Sequence, residues 1–122
     1  MKRGVFVVVM AVFLSMPVLA HAVGPFDGAY NVTENSTAGQ FMDYVVVLQN
    51  GNQVAVAILY PDVGSWFYGT GTLTGNTANG LLFHPAGASF GSFSITLGTD
   101  GSLSGTLMDS GLTVTLNGSK IF

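Results

Sequence analysis

Short alternating runs, each closed by a Gly, Asn or Asp turn signal, follow one another along the chain after residue 24. No window among them carries the 3.6-residue period of an amphipathic helix. Such a chain can bury its apolar side chains only as strands. The clearest run is residues 92–97, where Phe93, Ile95 and Leu97 share one face and Ser92, Ser94 and Thr96 the other. Thr99-Asp100-Gly101 turns it into residues 102–108, with Leu103, Gly105 and Leu107 inward. Ser110-Gly111 then leads into residues 112–116, with Leu112, Val114 and Leu116 inward. Upstream, Asn50-Gly51-Asn52 is the strongest hairpin signal and separates residues 41–49 from 53–60. Residues 66–74 follow Pro61-Asp62-Val63-Gly64, and Gly75-Asn76 turns them into 77–84. Residues 26–33 begin the domain, and the polar run 34–40 reads as a linker.

Short connections force neighbouring strands to be antiparallel, and eight strands are enough for the first to meet the last. The expected fold class is therefore all-β, a single antiparallel eight-stranded meander barrel. Closure also removes the unpaired edges that a chain with only 7% charged residues cannot otherwise guard. An outer-membrane barrel is the competing architecture, because alternation alone does not say which face is inside. Against it stand strands shorter than the ~9–11 residues a bilayer requires, and a terminal segment 117–122 without alternation.

Residues 1–22 read as a cleaved signal peptide, leaving 23–122 as the barrel domain. Lys2 and Arg3 precede an apolar run from Val5 to Ala20, and Ala20-His21-Ala22 supplies the small-x-small cleavage site. An uncleaved anchor is disfavoured because the run is short and holds Pro17. Localisation is then periplasmic or secreted, with no membrane span in the mature chain. Three sequons, beginning at Asn31, Asn35 and Asn117, carry little weight beside a signal of bacterial appearance.

Cleavage would leave Lys120 alone against Asp27, Glu34, Asp43, Asp62, Asp100 and Asp109. One lysine cannot build a phosphate-neutralising patch, so nucleic acid is excluded as a partner. With no cysteine in the chain, stability must come from a continuous core.

GTGTLTG, residues 69–75, has glycines that could cradle a phosphate, but it lacks the following helix and the lysine that such a loop uses. Its echo DGSLSGT at 100–106 marks both as strand signatures, with glycine relieving crowding where a strand coils in a small barrel. No metal site, cofactor or catalytic residue is assigned. His84 would be the only histidine left after cleavage and reads as a loop residue at a strand end, and a carboxylate pair of Asp27 with Asp43 or Asp62 is the remaining enzymatic option.

Two non-enzymatic readings remain. In the first, the barrel holds a small hydrophobic ligand, lined by Tyr30, Tyr44, Phe67, Phe93 and Ile95. In the second, side chains fill the barrel. Placing Met42, Tyr44, Val46 and Leu48 inward then leaves Val45, Val47, Leu59, Trp66 and Tyr68 as an outer apolar patch for self-association or a protein partner. One residue of slip would reverse those faces.

Gly28-Ala29-Tyr30 at the entry to the first strand resembles the G-x-W motif of lipocalins and their calycin relatives, with Tyr in place of Trp. The resemblance implies a lipocalin- or avidin-type barrel with an apolar cup, in which Lys120 near the last strand packs over Tyr30.

Overall fold

The computed structural model describes residues 24–122; the expected signal peptide lies outside the described residues. Eight strands run in order: β1 (Gly28–Ser36), β2 (Gly39–Asn50), β3 (Gln53–Tyr60), β4 (Ser65–Thr74), β5 (Thr77–Phe83), β6 (Ser89–Leu97), β7 (Ser102–Asp109) and β8 (Leu112–Lys120). Each pairs antiparallel with the next, and β1 pairs with β8, so the sheet closes into a barrel in sequence order. Closure satisfies both edges of every strand, as anticipated from the low charge.

Alternation decides what fills the barrel. Val32, Val56, Ile58, Leu82, Leu97, Leu103 and Leu116 are buried, and each such side chain stabilises the fold by about 1.5–3 kcal/mol relative to exposure. On β1, β6, β7 and β8 the opposite positions are largely Asn, Ser and Thr. That part of the outer wall lacks the apolar band that a lipid-embedded barrel carries round its whole circumference.

Two expectations are corrected. The segment 34–40 is not a linker: β1 continues to Ser36 and meets Gly39 across a tight turn, so Glu34 pairs with Phe41 inside the sheet. The faces of β2 are also reversed. Val45 and Val47 are 2% and 1% exposed in the core, whereas Tyr44 is 43% exposed on the outer wall. The cause is the β2–β3 turn. Strands ending at residue 49 and resuming at 53 would pair Val46 with Val56, but Asn50 pairs with Gln53, which moves Val56 opposite Val47 and Ile58 opposite Val45. With Val56 and Ile58 facing inward, that single step turns Val45 and Val47 inward as well.

One end of the barrel is closed by the segment preceding β1. Phe26 is buried there as a plug, its carbonyl accepting the Tyr30 hydroxyl at 2.9 Å. Asp27 fixes the segment by accepting from the backbone N–H groups of Gln49 and Gly24. Tyr30 and Lys120 are register partners across β1 and β8, and the Lys120 ammonium reaches the Pro25 carbonyl at 3.5 Å. A Cβ on Gly28 would lie 2.2 Å from the Phe122 carbonyl oxygen and 2.6 Å from Lys120 Cε. Glycine at that entry lets the C-terminal strand lie across the start of β1.

Candidate functional site

The opposite end carries the β1–β2, β3–β4, β5–β6 and β7–β8 turns, and there the barrel interior changes character. Inward positions hold Glu34, Asp43, Tyr60 and Phe67. The β5–β6 turn adds His84 and the start of β6 adds Phe90, and the two rings stack at 4.3 Å between centroids. Phe90 meets Phe67 edge-on at 5.2 Å, and Phe67 lies 5.6 Å from Tyr60. These contacts make a half-buried aromatic wall at the mouth, packed on the core below.

Two carboxylates sit behind that wall. Glu34 is 4% exposed and accepts the Tyr60 hydroxyl at 2.8 Å. Burial pushes the Glu34 carboxyl above its ordinary range, and the Tyr60 hydrogen bond only partly opposes this. The Tyr60 hydroxyl is itself raised, first by burial and then by the Glu34 charge, so it remains the donor. Asp43 is different. It is 1% exposed, beside Val32 in the β1–β2 register, and neither carboxylate oxygen has a hydrogen-bond partner. Continuing the β2–β3 register by one residue past the Tyr44–Leu59 pair sets Tyr60 opposite it. A buried carboxylate without a partner costs several kcal/mol when charged, so this position calls for a proton or a hydrogen-bonding cation.

The raised Glu34 pKa fixes the sign of a pH effect. Its contribution to stability is fully present below the ordinary value of 4.5 and is lost as pH rises through the higher folded value. Exposed Asp100, held low by its hydrogen bonds to Ser102, has the opposite sign and acts only as pH falls below its ordinary 3.8. The urea midpoint is therefore expected to fall from mildly acidic toward neutral pH, and Glu34→Gln should flatten that limb. An unchanged slope in Glu34→Gln would contradict the assignment.

Of the side chains expected from sequence to line a ligand cup, Tyr30, Phe93 and Ile95 are packed core residues. Tyr44 is on the outside, and Phe67 alone reaches the mouth. Of the expected outer patch, Val45 and Val47 are interior, while Leu59, Trp66 and Tyr68 lie half-buried on the outer face. There Trp66 sits 6.2 Å from Tyr68, which stacks on Phe83 at 5.3 Å. With exposed Tyr44 opposite Leu59, and Leu59 opposite Trp66, the strip crosses β2 to β5. Asp27 does not meet Asp43: the β1–β2 register sets Gly28 opposite Val47 and Val32 opposite Asp43, at different ends. Among the described residues no three His, Cys, Asp or Glu groups converge as a metal set.

From sequence, Asp43 is expected only as one member of an enzymatic carboxylate pair, and Glu34 and Tyr60 carry no expected role. One signal was available, since Asp43 is the only charge in the run FMDYVVVL. No family model matches the chain, and no curated protein matches it.

Proposed function

We propose that this chain is an exported, non-enzymatic binding protein that takes a small ligand at the turn-bearing mouth of its barrel, not in the middle. The observation that carries the reading is Asp43, whose two buried oxygens are unpartnered behind a wall of Tyr60, Phe67 and Phe90. Natural cores pair such groups, and unpaired ones concentrate where a ligand or proton completes them. Export is supported by the basic, apolar and small-residue pattern of residues 1–22. The closed antiparallel barrel and the Tyr30–Lys120 pairing are consistent with a calycin-type arrangement. The neutral probe N-phenyl-1-naphthylamine is expected to bind protein purified from the full expressed chain saturably, near one per barrel. Phe90→Ser should weaken that binding and Trp66→Ser should not. Absence of saturable binding, or equal effects of the two variants, would refute the mouth as the site.

A second reading rests on the outer strip, where Tyr44, Leu59, Trp66, Tyr68 and Phe83 form a continuous aromatic and aliphatic surface. Contiguous exposed patches of this kind mark interfaces more often than scattered apolar residues do. A second copy of the chain is the simplest occupant. Sedimentation at micromolar concentration is expected to show a dimer that Tyr44→Asp converts to monomer. A wild-type monomer over that range would dispose of this use.

A further inference from the structure

The geometry points to the chemical class of ligand at the mouth: an organic ammonium ion carrying a compact apolar body. This inference rests on the mouth being a binding site, and it adds what the site selects.

Asp43 supplies the first argument. Its two oxygens offer up to four acceptor positions, all without partners, in a place where water is excluded. A primary ammonium brings three N–H donors and the compensating charge; an alcohol brings one donor and leaves the charge uncompensated. Charge-assisted hydrogen bonds to a carboxylate are about twice as strong as neutral ones. Glu34 sits on the adjoining strand, two residues beyond the Val32 that faces Asp43, and its Oε2 already holds Tyr60.

The wall supplies the second argument. Successive ring centroids of Tyr60, Phe67 and Phe90 lie 5.6 and 5.2 Å apart at the mouth end of the barrel. Aromatic faces attract ammonium groups and also pack the hydrocarbon attached to them. A hard divalent cation is a poor fit, because calcium takes six to eight oxygens and no three acidic or imidazole groups converge among the described residues.

Charge distribution supplies the third. Glu34, Asp43, Asp62 and Asp109 all lie on strands or turns at the mouth end, whereas Lys120, the only lysine or arginine among the described residues, lies at the plugged end beside Asp27 and Asp100. That end holds four carboxyl side chains and no lysine or arginine among the described residues, a distribution that favours the encounter of cations over anions.

The test is calorimetric titration of the purified protein at pH 7 with 2-phenylethylammonium and with neutral 2-phenylethanol, which share the same apolar body. The ammonium is expected to bind at least ten-fold more tightly. Asp43→Asn should remove that preference, bringing the two probes to similar affinities, with circular dichroism reporting the fold. Glu34→Gln, which leaves Asp43 in place, should retain most of the preference. Equal affinities for the two probes in the wild type would overturn the ammonium assignment and leave the mouth as a neutral-ligand site. Binding of neither probe, in a protein that still binds N-phenyl-1-naphthylamine, would overturn the assignment as well. Calcium or magnesium binding that Asp43→Asn abolishes would replace it with a metal site.

Discussion

Gly71→Ala is expected to cost the barrel more than about 3 kcal/mol, beyond the usual range for an overpacked core, and in a domain of ordinary stability to leave much of the chain unfolded. Gly71 faces Gly80 across β4 and β5 on the inner wall. A Cβ on Gly71 would lie 2.0 Å from the Asn79 carbonyl oxygen, and one on Gly80 would lie 2.0 Å from that of Thr70. Both obstacles are backbone, held in the sheet ladder, so neither can turn aside. Gly69→Ala is expected to be milder, since its nearest backbone obstacle, the Leu81 carbonyl oxygen, lies 3.0 Å away instead of 2.0 Å, and the nearer obstacle at 2.7 Å is the Phe93 side chain. Gly75→Ala meets open space but must hold φ near 62°, which costs about 1–2 kcal/mol for a residue with a Cβ. Denaturant midpoints should rank Gly71→Ala lowest, then Gly69→Ala, then Gly75→Ala. If Gly71→Ala matched Gly75→Ala, the close approach of β4 and β5 would be wrong.

That ranking separates two roles inside GTGTLTG. Gly69 and Gly71 let neighbouring backbone and the Phe93 ring approach, and Gly75 turns the chain. The strand character of the segment was legible because Leu73 and the glycines alternate with threonine. The same was true of residues 92–97, where serine and threonine leave one apolar face and the inward assignment of Phe93, Ile95 and Leu97 holds. Alternation failed on β2 because both faces are apolar, so hydrophobicity carried no information on the register. The β2–β3 turn carried it. Asn50-Gly51-Asn52 accommodates a two- or a three-residue loop, and the choice exchanges Val45 and Val47 for Tyr44 and Val46. The site was less legible for a related reason. Glu34 and Asp43 look like solvated charges in one dimension, and only the pairing of β1 with β2, with Tyr60 approaching from β3, turns them toward the interior.

Asp43→Val is expected to stabilise the protein at neutral pH by about 1–4 kcal/mol, the gain seen when buried ionic groups are exchanged for apolar ones of similar volume. Valine is a strong strand former, and at this position it would face Val32 across the β1–β2 ladder. Asp43→Asn should give little or none of that gain, because its amide would be buried with the same lack of partners. The sign of the first change is diagnostic. An aspartate ion-paired within the fold would lose about 3–5 kcal/mol on losing its charge, because a buried partner would be stranded. A gain in urea midpoint for Asp43→Val, accompanied by loss of 2-phenylethylammonium binding, identifies a residue kept at the expense of stability, as binding groups commonly are. A loss of stability with ammonium binding intact would instead make Asp43 part of the core's own support. The paired measurements thus decide whether the barrel mouth is a site or a flaw in the packing.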